Sequence, residues 1–286
     1  AVQDLSSYSA SPDYLAFKKL SNRLRLENFT LVKADKGNSL VILERSAYTQ
    51  RVYDFLQISN AVEEKFSIES FSKKVHAAIS TSTVVIPRNK KEKEKQLYVM
   101  SYSTPRLYGQ MKTHKEGYPI RPVVACYTSP AFKLAKYLVT WFCDCTNFSS
   151  CHSIRNSEQL AMELEGLRFT PDVRLVSFDV SSMFTCIPVE KAIDILYEIL
   201  VKSGVDWSIA DEFEHLAHVC LDSNICQFDG KTFKFPGGVP MGGPMSSIIA
   251  EAFMDRLEHW VLKQSHYSAN VLLWYRYVDD VLYFWR

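Results

Sequence analysis

The sequence predicts an α+β fold, and three features carry that expectation. Apolar residues recur at helical spacing in several long segments, as from Ser129 to Cys145 and from Ser246 to Lys263. β-Prone runs come in pairs joined by short turns, as at Ile225 to Phe235. A glycine-rich stretch, Gly237 to Pro244, separates that hairpin from the helix after it.

The elements follow in order. Residues 11 to 26 read as a polar amphipathic helix. Leu31-Val32 and Leu40 to Leu43 read as two short strands joined by the turn-rich Asp35-Lys36-Gly37-Asn38. Ser46 is expected to cap a helix through Leu56, and Ser70 to Ser80 forms another. Pro87, Pro105 and Pro119 punctuate a basic, less regular stretch. Ser129-Pro130 is expected to open a helix to Cys145 with proline in its first turn, and a second spans Ser157 to Leu167. Val173 to Phe178 is a strand. Pro188 starts a helix through Val201 that Gly204 ends, and another covers Ile209 to Leu221. Asp229-Gly230 is the strongest hairpin signal in the chain. The last hairpin joins Val271 to Tyr275 with Val281 to Trp285 across Tyr277-Val278-Asp279-Asp280.

At 286 residues the chain is long enough for one large or two small domains. Its 47% apolar and 23% charged residues are those of a soluble globular protein, and no apolar run reaches membrane-span length. Ala1, not Met, opens the sequence, so a longer parent chain is expected. The net charge is only +1, but basic residues cluster between Arg88 and Arg121, a pattern compatible with phosphate binding. The run Lys90 to Lys95, alternating with Glu, reads as a solvated helix start. Seven cysteines without a secretory pattern indicate reduced thiols and an intracellular protein. Cys143, Cys145, Cys151 and His152 crowd together, but their spacing fits no common zinc pattern; buried free thiols are expected.

Two adjacent carboxylates at a hairpin tip are costly unless a cation sits against them, and oxygen ligands select a hard divalent ion. Asp279 and Asp280 supply such a pair, although an Asp-Asp turn is also an ordinary hairpin. Asp179, at the end of the strand from Arg174, supplies a third carboxylate or merely caps the next turn. Together the three suit two magnesium ions about 3.5–4 Å apart, clamping the attacking and leaving oxygens of a phosphoryl transfer. Phe184 stands in the following turn, where a rigid aromatic either excludes a 2′-hydroxyl or fills the core. Four glycines between Gly237 and Gly243 let backbone approach a ligand, and the helix N-terminus after them favours anions. Lys112, Lys115 and Arg121 form a basic loop and strand suited to a triphosphate, lysine as a point charge and arginine as a flat donor.

In this order the motifs resemble those of the reverse transcriptases, and most of all the Penelope-like retroelement branch related to telomerase. The residues that carry the resemblance are Lys33 to Asn38, Lys112 to Lys115 with Ile120 to Val123, Phe178 to Pro188, Gly238 to Gly242 and Tyr277 to Asp280. It covers nearly the whole chain from about Leu31.

The resemblance implies a right-hand polymerase fold, with helical fingers and a palm on an antiparallel sheet. Residues 1–100 would support the fingers, 101–170 form them, and 171–286 form a palm truncated after the catalytic hairpin. The remaining palm, the primer grip, the thumb and, in many members, a GIY-YIG nuclease would follow; a fingers-plus-palm fragment with the thumb absent is expected. Asp179 and Asp279 would ligate two Mg2+ ions, replaceable by Mn2+, with Asp280 in support. Lys112 and Arg121 would hold the triphosphate and stack on the incoming base, Phe184 would gate the sugar, and Met241 and Gly242 would floor the nucleotide pocket. Many reverse transcriptases carry Gln at the position of Met241. Lys36, Lys115 and Gly243 would contact nucleic acid. The partners would be an RNA template, a DNA primer and dNTPs, without a membrane, in the nucleus. The competing readings are a catalytically incompetent nucleic-acid-binding fragment or domesticated relative, and an RNA-dependent RNA polymerase.

Overall fold

A computed structural model describes residues 11–87, 95–222, 224–264 and 268–286. The basic run from Arg88 through Lys93 lies outside the described residues. The chain divides into two compact units, one of residues 1–61 with Leu107–Val123, the other of Val62–Arg106 with Val124–Arg286.

In the first unit, helix α1 (Pro12–Leu26) is capped by Ser11, whose hydroxyl accepts from the Tyr14 amide. Strands β1 (Phe29–Lys33) and β2 (Leu40–Glu44) pair antiparallel around the expected turn, Lys33 facing Leu40. Helix α2 (Arg45–Ile58) follows β2 without a gap, so Glu44 takes the cap position and the expected cap, Ser46, falls inside the first turn. The unit is completed by most of a strand spanning Arg106–Met111 and of one spanning Ile120–Ala125. Gly109 lies so close to Ile120 that an added Cβ would come within 2.9 Å of its side chain.

The second unit holds the largest core. A short strand (Val62–Glu63) leads into a helix at Ile68–Thr81, which buries Phe71, Val75, Ala78 and Ile79 behind a Ser67 cap. The next long helix, Phe132–Thr146, begins two residues later than Pro130. The Phe132 amide bonds the Ser129 carbonyl, so Ser129 and Pro130 form the tight turn before the helix rather than its first turn. Asn147, at φ 49°, ends it in the left-handed conformation. The helix Ser157–Leu164 stops short of Leu167 because Gly166, at φ 78°, turns the chain away. Helices Val189–Lys202 and Trp207–Leu221 bury Leu196, Leu200, Phe213 and Leu216 in one apolar cluster, in which Phe213 stacks on Trp141 at 5.6 Å. Strands Ile225–Phe228 and Lys231–Lys234 pair across Asp229 and Gly230, both at positive φ as a type I′ turn requires.

All seven cysteines are free. Burial pushes the Cys126 and Cys226 thiols up to about 11 and about 12, which keeps them protonated and inert. Cys151 is exposed and Cys143 and Cys145 are half-buried, so those three are not the buried thiols expected of them. Among the described residues no helix is long and apolar enough to cross a membrane.

One carboxylate ties two helices of this unit together. Glu212 accepts the amides of Thr83, Val84 and Val85 at 3.0, 3.2 and 2.9 Å and the hydroxyls of Ser82 and Thr83. Burial disfavours its charge, but those donors outweigh burial, and its pKa lies below the ordinary glutamate value. Its stabilisation is therefore present above the unfolded-state pKa and lost as pH falls through the lower folded-state pKa. Glu212→Gln is expected to cost about 2 kcal/mol in urea unfolding at pH 7, with the gap to the parent closing in acid. A gap that stays constant down to acid pH would contradict this account.

Candidate active site

The site grows from a three-stranded sheet in the second unit. Its strands are Arg174–Asp179, Val271–Tyr277 and Asp280–Trp285, with the last in the centre. Asp280 lies directly opposite Asp179, and the pairing runs without slip to Trp285 opposite Arg174. Directly opposed residues in an antiparallel pair share a face, so Asp179 and Asp280 stand side by side on one face of the sheet. Asp280 also faces Tyr277, leaving only Val278 and Asp279 to make the turn. The carbonyl of Asp279 accepts the Val180 amide at 2.8 Å, which ties the turn to the strand end carrying Asp179.

Asp179 and Asp280 are exposed and Asp279 is half-buried. Among the described residues none of the three carboxylates makes an ion pair. Neither is there any group of three or more His, Cys, Asp or Glu close enough to cage a metal, at this turn or around Cys143, Cys145, Cys151 and His152. The donor chemistry fits magnesium nonetheless. That ion keeps several waters and binds through one or two carboxylates plus substrate phosphates, not in an all-protein cage.

The turn is strained, and its support is the part of the site that sequence reasoning missed. Val278 sits at φ 57°, an outlier for a β-branched residue. Two residues earlier Arg276 points to the opposite face from Asp280 and is 1% exposed. Its Nε donates to Glu258 at 2.8 Å, Nη1 to Glu251 at 3.0 Å and to the Val278 carbonyl at 3.3 Å, and Nη2 to Ser150 at 3.3 Å. The Trp274 indole donates to the same Glu258 oxygen at 2.9 Å. Burial works against the Arg276 charge, but Glu251 and Glu258 outweigh it and raise its pKa further. The backbone of Arg276 also bonds His152 and Ile154, each at 2.8 Å. The available signal was a lone arginine in an apolar strand, with two glutamates seven residues apart on one face of the helix Ser246–Gln264.

Phe184 lies in a short helix, Met183–Cys186, after Ser182 at φ 54°. It is half-buried against the main core, and its carbonyl accepts the Val239 amide at 2.7 Å. That bond fixes the glycine loop to the turn. Gly238, at φ 72°, passes so close that an added Cβ would come within 2.5 Å of the Thr185 carbonyl oxygen. Both conditions demand glycine. Farther on, the Met241 carbonyl accepts the Val124 amide at 2.9 Å, and the Ser246 hydroxyl donates to Pro240 at 2.7 Å. Met241 is half-buried and Gly242 exposed at φ 115°. An added Cβ on Gly243 would come within 2.8 Å of the Ser246 hydroxyl.

Lys36, Lys112, Lys115 and Arg121 belong to the first unit. Lys112 begins a tight loop closed by its own amide on the Pro119 carbonyl at 2.9 Å and by Lys115 on Lys112 at 3.0 Å. Lys36 and Lys115 are exposed. The Arg121 Nε lies 3.0 Å from a carboxylate oxygen of Asp35, the residue before Lys36.

Mixed helices and sheets, with paired aspartates at a two-residue turn, make up a right-hand polymerase fold. The chain belongs to the reverse transcriptase (RNA-dependent DNA polymerase) family, whose sequence model matches residues 114–286. Among solved structures it is similar to telomerase from Candida albicans with a TWJ fragment of telomeric RNA, at TM-score 0.58 and 11% identity over 98% of this chain and 50% of that one. Apo telomerase from Candida tropicalis truncated from its C-terminal domain matches at TM-score 0.59 and 11% identity, over 96% of this chain and 55% of that one. The chain thus spans about half the length of these structures. No match to a curated protein was found.

Arg276→Met is expected to destabilise the fold by about 3–5 kcal/mol, because Glu258 would remain buried without its countercharge. Chemical denaturation measures this directly. A loss below about 1 kcal/mol would mean that the cluster does not hold the hairpin.

Proposed function

We propose that the chain is the fingers and palm of an RNA-directed DNA polymerase of a Penelope-like retrotransposon, adding dNTPs to a primer 3′-hydroxyl. The opposition of Asp179 and Asp280 beside the two-residue turn bearing Asp279 carries the reading, since that sheet end gathers negative charge that forms no ion pair among the described residues. Residues 171–286 form the palm in this reading, 101–170 the fingers, and 1–100 their support.

Asp179 and Asp279 hold two Mg2+ ions and Asp280 supports them. When bound, the ions supply charge neutralisation for the triphosphate and activation of the attacking hydroxyl. Phe184, braced by the core and by the Val239 bond, stands under the sugar and excludes a 2′-hydroxyl. Met241 and Gly242 floor the nucleotide pocket. Lys112 meets the triphosphate, and Arg121 stacks on the incoming base. Lys36, Lys115 and Gly243 contact nucleic acid, with the RNA template held through its backbone and 2′-hydroxyls. Catalysis rests on positioning and electrostatics, without a covalent intermediate. In this reading the chain acts in the nucleus.

Asp279→Asn is expected to lower Mg2+-dependent primer extension at least about 100-fold while RNA binding in a filter assay persists. Equal extension by parent and variant would dispose of the polymerase reading, and no extension by either would favour a binding fragment. Phe184→Ala is expected to raise ribonucleotide incorporation about 10-fold or more relative to dNTP. A parent that already prefers ribonucleotides would make the chain an RNA polymerase instead.

A further inference from the structure

We propose that Asp35 is a positioning residue for nucleotide binding, a buried anion that sets the orientation of the Arg121 guanidinium. The inference rests on the reading of Arg121 as the group that stacks on the incoming nucleotide.

The Asp35 side chain is 1% exposed, while that of Arg121, its one ion-pair partner among the described residues, is 48% exposed. The Nε–Oδ1 separation is 3.0 Å, yet neither carboxylate oxygen makes a hydrogen bond of good geometry. The attraction is therefore chiefly between charges, and a desolvated anion with one countercharge feels it strongly. An exposed pair of the same length would do little. A buried ion pair is no better for stability than apolar side chains of similar size, so stability alone does not explain a carboxylate here.

The anion is held rigidly relative to the strands that carry Arg121. The Asp35 amide donates to the Met111 carbonyl at 2.9 Å, and Ala34 bridges Met111 in parallel. Met111 ends the strand from Arg106, whose Gly109 amide is held by the Tyr48 hydroxyl at 2.8 Å and whose Gly109 backbone lies against Ile120. Ile120 is the immediate neighbour of Arg121. The carboxylate and the root of the arginine are thus fixed in one frame. With Nε drawn inward, the guanidinium keeps its flat face and terminal N–H groups for a ligand. Lys36 comes next to Asp35, so the turn that orients one cation also presents a second.

The test traps the chain on an RNA template with a dideoxy-terminated DNA primer and measures the Kd of the next complementary dNTP, which requires no chemistry. Asp35→Asn, close to the same shape, is expected to raise that Kd about 10-fold with the unfolding temperature unchanged or higher. Arg121→Lys keeps a countercharge for Asp35 but loses the planar fork, and is expected to raise Kd similarly. The double variant should resemble either single one, because both remove the same oriented group. No effect of Arg121→Lys would overturn the stacking reading itself. A clear effect of Arg121→Lys with none of Asp35→Asn would overturn only the positioning inference. A further measurement is independent of nucleotide binding: the NMR order parameter of the Arg121 Nε–H vector is expected to be high in the parent and to fall in Asp35→Asn. Equal order in the two would also overturn it.

Discussion

The hairpin that carries Asp279 and Asp280 depends on one buried charge cluster. Arg276 puts a full positive charge where almost no solvent reaches, between Glu251 and Glu258, and one Glu258 oxygen still lacks a hydrogen bond. Removing these groups from water costs several kcal/mol each, so such a cluster is a poor device for stability. What it provides is geometry. Arg276 has donors for the helix behind the sheet, for Ser150 in the preceding loop and for the carbonyl of Val278, while its backbone joins the His152 to Ile154 segment. A left-handed valine costs of order 1–3 kcal/mol and persists only when its surroundings over-determine it. Here the over-determination comes from the guanidinium on one side and the Asp279 to Val180 bond on the other.

The glycine loop beside the turn bearing Phe184 is set by contact rather than charge. Gly238 touches the backbone of Thr185, and Val239 bonds the carbonyl of Phe184, so the glycine loop cannot shift without moving the aromatic ring. Asn224 adds a second brace, its amide donating to the carbonyls of Gly237 and Gly238 at 3.1 and 3.0 Å. The close contact at Gly238, which leaves no room for a Cβ, holds the loop and the turn bearing Phe184 in one rigid unit, the rigidity that the proposed exclusion of one hydroxyl would need.

Much of the fold was legible because its signals are local. The Asp229-Gly230 turn, the periodicity of the helices after Pro188 and the glycine loop each depend on residues a few positions apart. The misses have equally physical causes. Pro130 suits a helix start but also a tight turn, and the Phe132 to Ser129 bond chose the turn. Ser46 resembles a cap, but a strand running directly into the helix left no residue free to act as one. Within the candidate site, the aspartates and Phe184 were proposed from local motifs, whereas the support from Arg276 could not be, since its partners lie 18, 25 and 126 residues away. The proposal for Asp35 was hidden for the same reason: it rests on an ion pair with Arg121, which only folding brings near.

These two arginines are managed in opposite ways. Arg276 is sealed in, its donors taken up by protein acceptors, and it stabilises a turn that bears negative charge. Arg121 is tethered by a single buried anion and otherwise left half-exposed. The aspartates, by contrast, make no ion pair among the described residues. In the proposed polymerase, divalent cations would relieve the repulsion between them, and a triphosphate, itself an anion, would bind well only beside those cations. Metal and nucleotide binding at such a site would be linked, each raising the affinity of the other by the same factor. The protein need only hold its carboxylates in register, which the sheet does, and keep the turn from relaxing, which Arg276 does.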